Sequence, residues 1–191
     1  MQRVLLLFTL LVVFVFVSIA SSFAEDLPPA VGGRLPDMKL AMPKDSVDKT
    51  YLGLAGFGSF KIPQIKAKVI IVEIFSMYCP YCQKEAPHVN QLYAKIEQNP
   101  SLKGKIKLIG IGVGNSQYEV EVFKKKYQVS FPLFADGDYV VHKRVGEVRT
   151  PYFIGVKIHP DGAHQVFYSK LGAFEGVDAF LATIVKLSGL Q

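Results

Sequence analysis

Cys79 and Cys82 are the only two cysteines in 191 residues, and they stand three positions apart in Cys79-Pro80-Tyr81-Cys82. A disulfide that serves stability gains from closing a long loop, because the constraint it places on the unfolded chain grows with loop size. A pair with two residues between its members closes almost none, so its use lies in chemistry. Exchange of disulfides between proteins needs an attacking thiolate at neutral pH and a second thiol that can release the trapped partner. If a helix starts at this pair, its free N–H groups and its dipole lower the pKa of the first cysteine from ~8.5 into the range of about 3.5–7.5. Cys79 is then the solvent-facing nucleophile, and Cys82, one turn further in, resolves the mixed disulfide. Pro80 suits a first helical turn, where no N–H is required of it.

The same pair could be half of a zinc site, which needs two more ligands at suitable spacing. No second cysteine pair exists, and His88, His142, His159 and His164 show no zinc-like arrangement. The reading therefore carries no metal and no cofactor, beyond adventitious ligation by a thiolate. Gly110-Ile111-Gly112-Val113-Gly114 invites comparison with a nucleotide loop, but no G-x-G-x-x-G opens a helix here. Its alternation reads as close packing at the end of a strand.

The elements that must position the cysteines follow from periodicity. Val69 to Phe75 is a β-branched run with apolar residues on both faces, as in a buried central strand. The cysteines come next and lead into a helical stretch over 80–98, interrupted by Pro87. Ile106 to Val113 reads as a second buried strand. Gln117 to Tyr127 is amphipathic, with Val120, Phe123 and Tyr127 on one face. Phe131 to Ala135 is a third strand, and a short helix follows over 139–145. Residues 152–158 and 165–171 flank His159-Pro160-Asp161-Gly162, which has hairpin-turn chemistry. A last helix covers about 177–187. Residues 37–62, broken by Pro43, Gly53, Gly56 and Gly58, suggest an edge hairpin. Strands alternating with helices and then a hairpin predict an α/β fold with a central mixed sheet flanked by helices.

The N-terminus gives an address. Arg3 precedes an apolar run to Ile19, and Ser21-Ser22-Phe23-Ala24 stands before Glu25-Asp26. That order reads as a signal peptide over residues 1–24 with cleavage after Ala24. The alternative is an uncleaved anchor, which the run is short for, since a span takes ~20 residues. Either way the chain is exported. Removing 24 of 191 residues leaves 167, enough for one domain, with 25–36 as an irregular Pro/Gly-rich lead-in and 37–191 as the domain proper. The net charge of +6 falls to +5 without Arg3. Lysines are scattered or solvated, as in Lys124-Lys125-Lys126, and no nucleic-acid-binding motif is present.

Val72-Glu73-Ile74-Phe75-Ser76-Met77-Tyr78-Cys79-Pro80-Tyr81-Cys82 resembles the active-site segment of thioredoxin-like proteins. Its continuation Gln83-Lys84-Glu85-Ala86-Pro87 resembles the TlpA-type periplasmic thiol-disulfide oxidoreductases (redoxin domains). Gly110 to Asn115, Phe131 to Asp136 and Thr150-Pro151 fall in the order that family shows. The likeness spans roughly residues 33–188. It implies a thioredoxin fold with an N-terminal hairpin extension and a βα insertion. It also implies that Glu73, six positions before Cys79, is a buried acid that takes and returns the proton of Cys82, the alternative being an edge-strand Glu in water. Pro151 matches the family's cis-proline, beside which Thr150 offers its backbone to a partner peptide. Tyr78, Pro80 and Tyr81 complete the implied client-binding surface. Tyr78 is a departure, since the family usually has Trp there and this chain has none. Pro80 is shared with DsbA-type oxidants, but only 68 residues separate Cys82 from Pro151, too few for DsbA's helical insertion. Pro80-Tyr81 is also the glutaredoxin dipeptide, without a glutathione-binding pattern.

These residues predict an exported reductase of protein disulfides. Its clients are exported cysteine-containing proteins, an apocytochrome by family analogy. With no further cysteine, the chain needs a membrane redox partner to recharge it; its oligomeric state is open. Two rivals stand beside this reading. A peroxiredoxin-type peroxidase has a Pro-x-x-x-Thr/Ser-x-x-Cys setting, for which Ser76 fits and Val72 does not. A copper(I)-holding metallochaperone would want a Cys-x-x-x-Cys spacing that is missing here.

Overall fold

The computed structural model describes residues 27–190. The expected signal peptide, its cleavage after Ala24 and the first two lead-in residues lie outside the described residues. At the centre is strand β3 (Val69–Phe75), all seven residues of which are buried. The other elements are β1 (Lys39–Ala41), α1 (Ser46–Leu52), β2 (Ser59–Lys61), α2 (Pro80–Gln98), β4 (Ile106–Val113), α3 (Gln117–Lys126), β5 (Leu133–Asp136), α4 (Val140–Arg144), β6 (Tyr152–Ile158), β7 (His164–Leu171) and α5 (Val177–Ser188). The main sheet has the order β5-β4-β3-β6-β7. β4 and β5 run parallel to β3, while β6 and β7 form the antiparallel half. This is the mixed sheet predicted, with α3 and β5 as the insertion after β4.

Alternation along β3 divides the core in two. Ile70, Val72 and Ile74 face a layer made by β1, β2, Leu52 of α1 and Val141 of α4. Val69, Ile71 and Phe75 face α2, α3 and α5 through Cys82, Val89, Leu92, Phe123, Phe180 and Ile184. Glu73, odd-numbered like Ile71 and Phe75, falls on the second face, and Cys82 packs there too. Gly112 allows that face to close: a Cβ on it would lie 2.9 Å from Val120 and 3.1 Å from Phe75. The glycine run is therefore a packing device, as its strand-like alternation suggested.

Two expectations need correction. The strands foreseen as an edge hairpin do pair antiparallel, Leu40 opposite Phe60, but they form a ribbon of their own that covers a sheet face. Their connection holds helix α1, begun by Asp45, whose side chain accepts the Asp48 N–H at 2.7 Å, and ended by Gly53 at φ 66°. The third strand begins at Leu133 rather than Phe131. Pro132 accepts the Gly110 N–H at 3.0 Å but has no N–H of its own to extend the ladder.

Three further contacts fix the frame around the cysteines. The edge of β7 is partly covered by the lead-in, where Gly32 and Gly33 exchange hydrogen bonds with Val166. Gly172, just after β7, donates to the Pro151 carbonyl at 2.8 Å. An ion pair of 2.8 Å between Lys95 and Asp178 joins α2 to α5.

Candidate active site

β3 delivers the chain to a short turn, and Cys79 stands at the N-cap of α2 with an extended backbone (φ −81°, ψ 115°). No side chain caps this helix, and Pro80 occupies its first turn. The N–H groups that a serine or aspartate would normally take are left to the sulfur. Burial of Cys79 works against ionisation, but the polar groups of the Thr150 side chain, the Cys82 N–H and thiol, and the Tyr81 N–H lie near enough to stabilise the thiolate and outweigh it. The balance holds the Cys79 pKa below its ordinary value. While protonated, the thiol donates to the Thr150 carbonyl at 3.3 Å. Cys82 is the opposite case. It is 0% exposed, and desolvation pushes its thiol well above the ordinary range.

Glu73 is 3% exposed, in β3 between Gly110 of β4 and Phe153 of β6. It is buried in the core rather than turned to water. Burial first, then the charges of Glu85 and Cys79, raise its pKa to about 8. Glu85, also 3% exposed, lies one helical turn beyond Cys82. Its carboxylate accepts the Phe174 N–H at 3.3 Å and lies 3.3 Å from His88 Nδ1. The active-site helix is thereby tied to the 172–176 loop, whose Gly172 donates to the Pro151 carbonyl. The Thr150–Pro151 peptide bond is cis. Tyr78, Pro80 and Tyr81 are exposed around the sulfur, Tyr78 by 64% and Tyr81 by 70%.

The structure thus brings Cys79, Cys82, Glu73, Thr150 and Pro151 together, with Tyr78, Pro80 and Tyr81 on the rim. Sequence reasoning left three neighbours without a role: Glu85, Asn115 and Glu119. Two of them had a signal, Glu85 in its i+3 spacing from Cys82 and Glu119 in the capping-box pattern Ser116-x-x-Glu119. Asn115 follows a strand end and could be noticed only once the turn was placed. Among the described residues, no group of three or more His, Cys, Asp and Glu side chains is placed to hold a metal ion. Two cavities, about 550 Å³ beside Lys68 and Lys157 and about 620 Å³ beside Arg34 and His164, do not reach the cysteines.

A half-exposed, acidified thiol beside a buried one at a helix start is equipment for dithiol–disulfide exchange. The family model described as AhpC/TSA family matches residues 31–165, most of the chain. The chain belongs to the AhpC/TSA family. Within that family its domain is a redoxin of the thioredoxin superfamily. Among curated relatives, thiol-disulfide oxidoreductase ResA of Geobacillus thermodenitrificans is 24% identical over 155 residues, 80% of this chain and 79% of that protein. ResA of Oceanobacillus iheyensis is 25% identical over 147 residues, 76% of this chain and 66% of that protein. Among solved structures, the thioredoxin domain of a thiol-disulfide oxidoreductase from Bacteroides vulgatus aligns with a TM-score of 0.60 at 17% identity, covering 83% of this chain and 98% of the other. A secreted Mycobacterium tuberculosis disulfide oxidoreductase aligns with a TM-score of 0.52 at 20% identity, covering 68% of this chain and 90% of the other. The fold of this redoxin is the thioredoxin fold.

Proposed function

We propose that this protein is an exported thiol–disulfide oxidoreductase that reduces disulfides in other exported proteins. The observation that carries this reading is the asymmetry of the two thiols: Cys79 is accessible and its pKa lowered, while Cys82 is buried and its pKa raised. Only one of them can attack first. The Cys79 thiolate attacks one sulfur of the client disulfide, a mixed disulfide forms, and the other client sulfur leaves as a thiolate that takes up a proton. Cys82 then gives its proton to Glu73 and attacks Cys79 Sγ, which releases the second client thiol. Two electrons have passed to the client, and the protein is left with the Cys79–Cys82 disulfide. Glu73, with its pKa near 8, suits a group that takes and returns this proton near neutral pH.

Thr150, beside cis-Pro151, supplies backbone to the client peptide, and Tyr78, Pro80 and Tyr81 form the surface it crosses. The curated ResA relatives, thiol-disulfide oxidoreductases, support this reaction class, and the secreted mycobacterial disulfide oxidoreductase accords with export. The signal over residues 1–24 would deliver the chain to the periplasm, where a membrane dithiol partner would recharge it. Among the described residues no helix is long and apolar enough to cross a membrane. Reduction rather than oxidation is proposed from the resemblance to the TlpA-type oxidoreductases.

The trapping pattern tests the roles. Cys82→Ala should accumulate mixed disulfides through Cys79 with a scrambled-disulfide substrate, and Cys79→Ala should accumulate none. Equal trapping by both variants would overturn the assignment. Peroxide reduction is the second reading, favoured by the family's membership and by Ser76 three residues before Cys79. Against it, buried Val72 occupies the place of that motif's proline. Peroxide consumption far above the rate of a free thiol would favour it.

A further inference from the structure

The three residues ahead of Cys79 are each held by a side chain from one short segment, the junction between β4 and α3. Asn115, fully buried, accepts the Met77 N–H at 2.8 Å, and its Nδ2 donates to Ser76 Oγ at 3.5 Å. Glu119, in the first turn of α3, accepts the Tyr78 hydroxyl through Oε1. The other oxygen of Glu119 is already committed, since Oε2 accepts the Ser116 N–H at 2.7 Å and the Ser116 hydroxyl at 2.8 Å. The capping box therefore anchors the carboxylate to its own helix, and Tyr78 binds to a fixed acceptor. The bond is felt on both sides: it is the foremost cause that raises the Tyr78 pKa and lowers that of Glu119.

Tyr78 is largely exposed, so packing alone leaves its ring a choice of rotamers. Its hydroxyl bond is what selects one. The selected position is next to the accessible thiol of Cys79, on a rim that also carries exposed Tyr81, with exposed Tyr118 beside Glu119 on the first turn of α3. Rigid aromatic side chains make good contact surfaces because little conformational entropy remains to be lost on binding. This arrangement also answers the missing tryptophan. Where the family's indole is replaced by a phenol, the phenol gains an acceptor of its own.

We propose that Glu119 is a positioning residue for client recognition: by holding the Tyr78 hydroxyl it fixes an aromatic wall beside Cys79, against which an apolar or aromatic residue flanking the client cysteine packs. The inference rests on the oxidoreductase reading above and names the feature by which that site selects its client. Asn115 supplies the rigid base, and Glu119 sets the ring.

The test uses the pre-reduced mature protein in excess over a fluorescence-quenched disulfide peptide with phenylalanine next to one cysteine. Half-saturating protein concentration and maximal rate are measured for wild type, Tyr78→Phe, Glu119→Ala, the double variant and Ser116→Ala. Tyr78→Phe and Glu119→Ala should each raise the half-saturating concentration about fivefold, the size of one exposed charge-assisted hydrogen bond, with the maximal rate unchanged. The double variant should be no worse than either single, because both remove the same contact. Ser116→Ala should lower Tm through loss of the helix cap and, because the Ser116 N–H still holds Glu119 Oε2, raise the half-saturating concentration by less than either contact variant. Unchanged saturation in Tyr78→Phe, additive effects in the double variant, or an equal loss in Ser116→Ala would overturn the proposal. Failure of the wild type to reduce the peptide at all would overturn the oxidoreductase reading, and the proposal with it.

Discussion

Replacing Glu73 by Gln should make the protein more stable above pH 5, by a margin that grows with pH. Glu73 lies almost wholly out of water, and its pKa rises from the ordinary 4.5 to about 8. In the unfolded chain the carboxyl ionises near 4.5. Between those two values the native state holds a proton that the unfolded state has released. Stability therefore falls as pH rises through this window, by ~1.4 kcal/mol per pH unit. The loss amounts to about 3 kcal/mol by pH 7 and levels off at about 5 kcal/mol above pH 8. Glutamine cannot ionise and escapes the loss. The assay is urea unfolding of the reduced protein, wild type against Glu73→Gln, at half-unit steps from pH 4.5 to 9. The cysteines titrate in both proteins, so the difference between the two curves isolates Glu73, and any constant effect of the amide appears as an offset. A difference that rises from pH 5 and flattens near pH 8 supports the account. A flat difference over that range would refute the reasoning, and with it the case for Glu73 as proton acceptor from Cys82.

Two further predictions follow from contacts in the structure. Alkylation with iodoacetamide, followed by mass spectrometry, should label Cys79 with an apparent pKa below the ordinary thiol value of ~8.5 and leave Cys82 unlabelled up to pH 10; joint titration of both thiols would contradict the asymmetry. Tyr51→Phe should lower stability by about 1–3 kcal/mol in urea unfolding, because it strips the acceptor from the Leu108 N–H on a stretch of β4 that β5, pairing only from Gly110, does not reach. An unchanged midpoint would mean that water replaces the phenol without loss.

The central βαβ frame was legible in the sequence because its signals are local. Val69 to Phe75 is apolar on both faces and could only be a strand covered on both sides, and Cys79-Pro80 is a helix start by residue type alone. The ends of β3 and α2 fell where the apolar run and Pro80 put them. Helix α1 was hidden because Pro43, Gly53, Gly56 and Gly58 look like uninterrupted punctuation. Its two terminators, Asp45 as N-cap and Gly53 past the end, were there to be read as a pair. The neighbours of the cysteines were less accessible. Glu85, Asn115 and Glu119 act across 38 or 41 residues of sequence in the bonds from Met77 and Tyr78, and 89 in the bond from Phe174. Such contacts depend on which face of a strand or helix meets which, and the sequence pattern fixes that only after the sheet order is known. Asn115 in particular resembles any polar residue in a turn until its oxygen is found on the Met77 N–H.

The central claim is that the Cys79–Cys82 pair donates electrons to client disulfides, and its equilibrium reduction potential tests this most directly. The protein is equilibrated in dithiothreitol or glutathione buffers, and the fraction reduced is read by mass after thiol blocking. The account predicts a strongly reducing pair, with a potential near ~−270 mV as in thioredoxin. A value near ~−120 mV, as in DsbA, would make the protein an oxidant and contradict the claim.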